Sequence, residues 1–156
     1  MNLTQHFTKE ELTRSATAAS RGIKNSYSET ELVNMVWTAI QMEKVRKILG
    51  NNPISVTSCF RNETVNKLVG GSSTSAHRYG LAVDFTCPKF GNTRQVCEAL
   101  IAAQKRGEIE FDQLILEFPP AGWVHIGFKQ YGVGQRKQVL TAKKVNGVTK
   151  YLGGLV

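Results

Sequence analysis

Apolar residues recur at three- and four-residue steps between residues 29 and 49, which is the pattern of an amphipathic helix. Ser28 and Glu31 have the spacing of a capping box and predict where this helix begins. Gly50 and the turn at 51–53 predict where it ends. Three further helices are predicted over residues 9–19, 62–69 and 92–106.

Other segments have the alternation of β-strands. Residues 54–60 are rich in β-branched side chains, and residues 81–86 form the next predicted strand. Two more strands, 111–118 and 123–128, are joined by Pro119-Pro120-Ala121-Gly122, a hairpin signal. The Gly- and Lys-rich tail contains one further short strand, at 137–141. The order of these elements predicts an α+β domain with a small, mainly antiparallel sheet packed with helices.

Composition supports one globular domain. The chain has 156 residues, of which 41% are apolar and 21% charged, which excludes disorder, collagen and coiled coil as descriptions of the whole chain. No run approaches about 18 apolar residues, so no membrane-spanning helix is predicted. The first ten residues carry no apolar signal-peptide core, so we expect synthesis in the cytoplasm without a secretory signal.

Positive charge is concentrated near the C-terminus. The formal net charge is +8, and residues 118–156 contain six basic residues and no acidic residue. Such a tail favours an anionic partner, for example an envelope surface. A basic soluble surface without a ligand is an equally good explanation. Because no aromatic-rich recognition motif accompanies the charge, we do not expect nucleic acid as the partner.

The three cysteines, Cys59, Cys87 and Cys97, are too few and odd in number for a disulfide scaffold. Free buried thiols are the state expected of a cytoplasmic protein, and a bridge between Cys87 and Cys97 is the alternative. A cysteine nucleophile would need Cys59 beside a histidine, and no local motif supports that arrangement.

Two of the three histidines lie in unusual local sequences. His77 belongs to the segment SAHRYG and His125 to the segment WVHI. In the strand 81–86, Asp84 points to the face opposite the apolar residues. A turn at Gly80 can fold His77 back toward Asp84, and His125 comes from another strand. We therefore expect these three side chains to meet at one point.

Two neutral imidazoles and one carboxylate suit Zn²⁺. Three protein ligands, here His77, Asp84 and His125, leave the fourth position for water, as in catalytic rather than structural zinc sites. The alternatives are a structural hydrogen bond between histidine and aspartate, and a solvated strand aspartate.

A zinc hydrolase also needs a general base, and Glu117 is the best candidate. If Glu117 lies directly opposite His125 across the hairpin, the two side chains share a face. A register that differs by one residue would put Glu117 on the other face. A solvated glutamate at a strand end is the competing explanation. Asp112 and Glu110 are weaker candidates because they lie further from the turn.

Two residues are candidates for substrate binding. Arg61 follows the strand 54–60, and arginine can hold a carboxylate in bidentate fashion. The competing explanation is a surface ion pair with Glu63 or Asp84. Ser75, two residues before His77, can donate a hydrogen bond to substrate, or it can be an ordinary loop hydroxyl.

The combined motif is similar to that of a known family. Ser-x-His-x-x-Gly-x-Ala-x-Asp at 75–84, followed by Trp-x-His at 123–125, resembles the zinc D-alanyl-D-alanine peptidases. That family includes bacterial D,D-carboxypeptidases and phage endolysins that cut L-alanyl-D-glutamate bonds, and it shares a zinc fold with hedgehog signalling domains. The resemblance covers roughly residues 5–140, including Ser58-Cys59-Phe60-Arg61, segments 65–71 and 111–117, and an N-terminal segment at 7–15 similar to small phage and prophage members.

The resemblance implies the hedgehog-like zinc fold, with the two histidines and Asp84 as zinc ligands. It also implies that Arg61 and Ser75 bind a carboxylate or carbonyl group of the peptide. The predicted organisation is a zinc peptidase domain over residues 1–140 and a basic extension of the same domain over 141–156.

One position departs from the family pattern. Several relatives place the catalytic acid three residues before the last histidine, where this chain has Gly122. Glycine cannot act as a base, so the role falls to Glu117 on the neighbouring strand, as in a subgroup that the sequence resembles more closely.

The resulting hypothesis is a monomeric zinc metallopeptidase that hydrolyses peptidoglycan stem peptides, of the D-alanyl-D-alanine carboxypeptidase or the L-alanyl-D-glutamate endopeptidase type. By resemblance it is a phage endolysin that reaches the cell wall after the membrane is permeabilised. The alternative is a non-catalytic zinc-stabilised module that binds cell wall or forms part of a virion, which would need no base. A nucleic-acid-binding protein is a third, weaker alternative.

Overall fold

The computed structural model describes residues 1–156 and contains five α-helices, one short 3₁₀ helix and six β-strands. The α-helices are α1 (Lys9–Thr13), α2 (Ala16–Ser20), α3 (Glu29–Ile48), α4 (Glu63–Leu68) and α5 (Thr93–Lys105). The strands are β1 (Ser55–Ser58), β2 (Ala82–Thr86), β3 (Gln113–Glu117), β4 (Trp123–Gly127), β5 (Gln138–Val145) and β6 (Val148–Gly153). The 3₁₀ helix covers Ala76–Tyr79, between α4 and β2.

All six strands form one sheet in the order β1-β2-β4-β3-β5-β6. Every neighbouring pair is antiparallel except β3 and β5, which are parallel. The predicted α+β fold with a mainly antiparallel sheet is confirmed, and so is the β3–β4 hairpin. Because β4 lies between β2 and β3, the strand that carries His125 is flanked by the strands that carry Asp84 and Glu117.

The sheet has one apolar and one polar face around its centre. Helix α5 packs against β3 and β4, and α3 packs beside α5. Alternate residues of β2, β3 and β4 point into this core and are completely buried, namely Val83, Phe85, Leu114, Leu116, Val124 and Ile126. Because side chains alternate along a strand, Asp84, Glu117 and His125 all lie on the opposite face.

The predicted helix over residues 9–19 is wrong in one respect, since it is two helices. Arg14 has an extended backbone, with ψ of 134°, and ends α1. The side chain of Ser15 accepts a hydrogen bond from the backbone N–H of Ala18 and caps α2. Serine favours this capping geometry over a helix interior, so the break has a local cause.

The C-terminal tail contains more structure than the single short strand predicted at 137–141. Strands β5 and β6 form a hairpin, and β5 pairs with β3 along its first five residues. Asn146 and Gly147 make the turn, both with positive φ angles. An Asn-Gly pair at a two-residue turn is a strong hairpin signal, and it accounts for the second strand of the tail, which was not predicted. The basic tail is therefore part of the sheet.

The three cysteines are free and buried, and no disulfide joins Cys87 to Cys97. Burial raises the pKa of the Cys59 thiol well above its ordinary value. Cys59 is completely buried, which argues against a cysteine nucleophile. None of the helices combines the length and the apolar character needed to cross a bilayer.

Asp112 anchors the segment that leads into β5. Its carboxylate accepts hydrogen bonds from the backbone N–H of Arg136 at 2.9 Å and from the guanidinium of Arg136, the shortest at 2.8 Å. The ammonium group of Lys129 lies 3.8 Å away. Asp112 is thus a buried structural carboxylate, and exposed Glu110 pairs with Lys137. Neither of these two weaker candidates for the base is free beside the predicted metal ligands.

We expect Asp112→Asn to lower the free energy of unfolding by about 1–2 kcal/mol, because Arg136 is largely exposed and solvent screens part of the interaction. Burial alone would raise the pKa of Asp112, but Arg136 outweighs it and holds that pKa below its ordinary value of 3.8. The stabilisation is therefore present above pH 3.8 and is lost as the pH falls through the lower pKa of the folded state.

Urea denaturation of both proteins near neutral pH and in acid measures this difference. The matched control is Glu108→Gln, which removes an exposed carboxylate paired with exposed Arg106 and should change little. A difference between wild type and Asp112→Asn that persisted unchanged in strong acid would contradict the assignment.

Candidate metal centre

Two of the predicted metal ligands are direct neighbours across the sheet. Asp84 of β2 lies opposite His125 of β4 in the antiparallel register. The Nδ1 atom of His125 is 2.9 Å from Oδ1 of Asp84. This contact follows from strand pairing, because residues directly opposite each other on one face have adjacent side chains.

The third predicted ligand is positioned by the 3₁₀ helix. His77 is followed by a left-handed turn at Gly80, where φ is 73°. A Cβ atom on Gly80 would lie 2.8 Å from Cγ of Met35, so the turn and its packing against α3 both need glycine. The carbonyl of Gly80 accepts a hydrogen bond from the hydroxyl of buried Thr38, at 2.7 Å. These contacts hold His77 over the start of β2.

His77 presents one ring nitrogen to Asp84. Its Nε2 atom lies 3.2 Å from Oδ1 of Asp84. Its other nitrogen, Nδ1, donates a hydrogen bond to the backbone carbonyl of Cys59 at 2.7 Å. This bond fixes the proton on Nδ1 and leaves the Nε2 lone pair free, which is the arrangement of a histidine that binds metal.

The protonation states of His77 and Asp84 suit the binding of a cation. Burial lowers the pKa of His77 below its ordinary value of 6.5, although the Asp84 carboxylate acts in the opposite direction. Burial alone would raise the pKa of Asp84, but His77 and His125 outweigh it and hold that pKa well below its usual range. At neutral pH His77 is therefore neutral and Asp84 ionised, as metal binding requires.

The donor set fits zinc. The three donor groups can each offer one atom, and these atoms all lie within 4.8 Å of one another. In a tetrahedral site with bonds of about 2.0–2.1 Å, neighbouring donor atoms are about 3.3–3.4 Å apart. The observed separations from Asp84 Oδ1, 2.9 and 3.2 Å, are close to that value. A small cation fits among these atoms with little rearrangement.

Glu117 lies on the same face of the sheet as His125, but not directly opposite it. His125 is directly opposite Ile115, and Glu117 is opposite Trp123. The register thus differs by two residues from the pairing of Glu117 with His125. Because side chains alternate with a period of two, this shift keeps Glu117 on the face of His125, as a diagonal neighbour.

The Glu117 carboxyl group is partly buried beside charged residues. Burial raises its pKa to about 6, and the negative charge of Asp84 acts in the same direction, whereas His125 and Arg61 oppose the shift. Raised carboxyl pKa values are common among groups that transfer protons in active sites. The geometry is therefore compatible with the role of a base for Glu117, and it disfavours a freely solvated glutamate.

Gly122 has a structural reason to be glycine. A Cβ atom at this position would lie 1.7 Å from the backbone carbonyl oxygen of Glu117. The loop from β3 to β4 therefore closes too tightly for any side chain at the position where several relatives carry the catalytic acid. An acid at residue 122 would require a different loop, so Glu117 is the acidic residue that this hairpin offers.

Arg61 makes no ion pair, neither with Glu63 nor with Asp84, contrary to the competing explanation. Its backbone N–H donates to the carbonyl of His77 at 2.9 Å, which places it beside the centre. The side-chain Nε atom is buried without a hydrogen-bond partner. An unpartnered guanidinium beside the centre can bind an anionic group.

Ser75 has a local structural role. Its hydroxyl oxygen accepts a hydrogen bond from the backbone N–H of His77 at 3.3 Å and caps the 3₁₀ helix. The hydroxyl proton is not used in this contact, and the residue lines the groove above the centre. Ser75 can thus orient His77 and donate to a ligand.

An open groove of about 730 Å³ runs over the centre. All six predicted site residues line it, together with the loop 69–76 and the segment after β4. Trp123 and Tyr151 also line the groove, and neither was predicted as a site residue. Trp123 belongs to the Trp-x-His motif, and its buried indole N–H has no partner. Tyr151 comes from β6, and only its place after the Asn-Gly turn could have indicated that it reaches the sheet.

A family model described as Peptidase M15 matches residues 5–126. The chain belongs to the peptidase M15 family. The matched segment of this M15 protein contains all six predicted site residues, and the β5–β6 hairpin lies outside it. The predicted membership of the zinc D,D-peptidase group is thereby confirmed.

Among curated relatives of this M15 protein, the zinc D-Ala-D-Ala carboxypeptidase of Streptomyces albus G is 33% identical over 105 residues. The alignment covers 67% of this chain and 39% of the relative, so the chain spans about two fifths of the relative's length. The predicted cofactor, Zn²⁺, is the metal in the relative's name, and the donor set described above fits it.

Proposed function

We propose that this M15 protein is a zinc-dependent peptidase that hydrolyses peptide bonds in peptidoglycan stem peptides. The observation that carries the proposal is the convergence of His77, Asp84 and His125 at the floor of an open groove, with Glu117 on the same sheet face. A purely structural metal site would have a fourth protein ligand and would not need a groove or an adjacent carboxylate.

The residues of the site have separate roles in the proposed reaction. The two histidines and Asp84 would hold zinc, which when bound polarises the scissile carbonyl and lowers the pKa of an attacking water toward about 7. Glu117 takes the proton of the attacking water and returns it to the leaving amine. Its partly buried position limits competition from bulk solvent for that proton.

Arg61 and Ser75 orient the peptide. The unpartnered guanidinium of Arg61 binds a substrate carboxylate, and the hydroxyl of Ser75 donates to a carbonyl oxygen. Fixing the peptide at these points brings its scissile bond to the centre, which lowers the entropic part of the barrier. In the finer form of the proposal, the protein is a cell-wall-lytic enzyme of the phage endolysin type that acts after membrane permeabilisation.

The test is digestion of purified peptidoglycan by the protein supplied with zinc, followed by mass spectrometry of the released fragments. Loss of a terminal D-alanine identifies a carboxypeptidase, and a new amino group on D-glutamate identifies the endolysin type. A chelator should abolish either activity and zinc should restore it. If the zinc-loaded protein binds peptidoglycan but releases no fragment, the non-catalytic wall-binding module replaces this proposal.

We also propose that the β5–β6 hairpin contacts an anionic envelope surface. Lys143 and Lys150 lie directly opposite each other on one face, and no acidic residue follows Glu117 in the chain. Like charges in this position repel each other, and a bound anion would relieve the repulsion. We expect the double variant Lys143→Glu, Lys150→Glu to lose salt-sensitive binding to vesicles that contain anionic phospholipid.

The matched control for this binding is the double variant Lys89→Glu, Lys105→Glu, which makes the same charge change outside the hairpin. Equal loss of vesicle binding in both variants would show that net charge, and not the hairpin, is responsible.

A further inference from the structure

Tyr151 lies in the same row of the sheet as the proposed base. Reading across neighbouring strands, Trp123 pairs with Glu117, Glu117 with Ala142, and Ala142 with Tyr151. Residues paired directly across strands point to the same face. Tyr151 therefore projects from the face that carries the metal centre, although it belongs to a hairpin outside the segment that matches the family.

The residue between them leaves room for the phenol to reach the groove. Strands lie about 4.8 Å apart, so two strand spacings separate Glu117 from Tyr151 by about 10 Å. Ala142, which lies between them, is completely buried and has no side chain beyond Cβ. The ring of Tyr151 can lie over this alanine, and Tyr151 lines the groove together with Glu117 and His125.

The phenol is free to bind a ligand. Tyr151 is 57% exposed, and its hydroxyl makes no hydrogen bond within the protein. Partial burial of the phenol, with the negative charges of Glu117 and Asp84, raises the pKa of Tyr151 above its ordinary value, so the group keeps its proton and remains a donor.

Tyr151 and Arg61 lie on opposite sides of the centre. Arg61 follows β1 at one edge of the sheet, Tyr151 belongs to β6 at the other edge, and β2 and β4 with the metal ligands lie between them. A peptide whose carboxylate is held by Arg61 and whose scissile bond lies at the centre therefore extends toward Tyr151.

We infer that Tyr151 is a substrate-binding residue, whose hydroxyl donates a hydrogen bond to a carbonyl or carboxylate oxygen of the peptide on the side of the scissile bond away from Arg61. The inference rests on the proposed function and adds to it that the C-terminal hairpin forms one wall of the substrate groove. It also predicts that the enzyme favours substrates that extend to this wall.

The test is Tyr151→Phe, which removes only the hydroxyl group. Because the variant loses one hydrogen bond to the substrate, we expect KM for an extended stem peptide to rise about fivefold, with kcat within about twofold of wild type. Zinc content and melting temperature should not change, since the hydroxyl bonds to nothing in the protein. The matched control is Tyr131→Phe, which makes the same change at an exposed tyrosine whose ring packs edge-to-face against Trp37.

Substrate length provides a second measurement. Peptides that share the scissile bond and the carboxylate side, but are truncated on the other side, should be cleaved equally by wild type and Tyr151→Phe. An equal KM for the extended peptide in both proteins, or a KM increase that persists with the truncated peptide, would overturn the inference. Absence of cleavage by the wild-type protein would instead overturn the proposed function, so the two failures are distinguishable.

Discussion

Replacing His125 or Asp84 with alanine should remove zinc and reduce peptidoglycan hydrolysis to background. The two side chains meet at 2.9 Å, and each supplies one of the three donor groups. Loss of an outer-shell partner of a metal site already costs about 10–100-fold in affinity or activity, so loss of a ligand should cost more than about 100-fold in zinc affinity. Zinc titration by competition with a chromogenic chelator and the fragment assay measure the two losses.

His6 provides the matched control, because it is the remaining histidine and pairs with Glu43 away from the groove. His6→Ala should keep zinc and activity. Asp84→Asn, which preserves shape, together with circular dichroism, separates loss of metal from loss of fold. Full zinc binding by folded Asp84→Ala and His125→Ala would show that the metal centre has been assigned to the wrong residues.

The second large effect is expected from Glu117→Gln, which should bind zinc like wild type and turn over far more slowly. Glutamine keeps the size of the side chain but cannot accept the proton of the attacking water. General acid–base catalysis contributes about 10²–10⁴-fold, so kcat should fall by about that factor while KM changes little. Steady-state kinetics on a stem peptide, together with the zinc titration, measures both quantities.

Glu110→Gln is the control for this variant, because Glu110 is exposed and pairs with Lys137 outside the centre. Its kcat should equal that of wild type. Wild-type turnover by zinc-loaded Glu117→Gln would show that Glu117 is not the base and that another group accepts the proton of the attacking water.

The position of Glu117 could be predicted from the sequence only in part. The alternation of β3 and β4 and the hairpin signal between them place Glu117 and His125 in neighbouring strands. The register of the β3–β4 pairing could not be predicted, because it depends on the conformation of the loop between the two strands. In the structure the loop closes around Gly122, whose missing side chain makes room for the carbonyl of Glu117, and the pairing shifts by two residues. An even shift leaves both side chains on one face.

The C-terminal tail differs from Glu117, because its place in the fold could not be predicted from local sequence. Its charge was evident from composition, but its place in the sheet was not, because residues 118–137 separate β5 from β3, with which it pairs. Such a pairing is decided by which edge of the sheet is open after β3 and β4 have formed. Tyr151 could therefore not be predicted as a site residue, because its place beside the groove depends on the pairing of β5 with β3.

By itself, the sequence determined the residue types of the candidate metal centre, the strands that carry Asp84, His125 and Glu117, and the residues of each strand that share a face. These features depend on local periodicity, capping and turn residues, which are properties of short segments. Only the tertiary structure decided that β4 lies between β2 and β3, that Arg61 has no ion partner, and that the tail closes one side of the groove. Those features depend on contacts between distant segments, whose free energies are set by packing and burial in the completed fold.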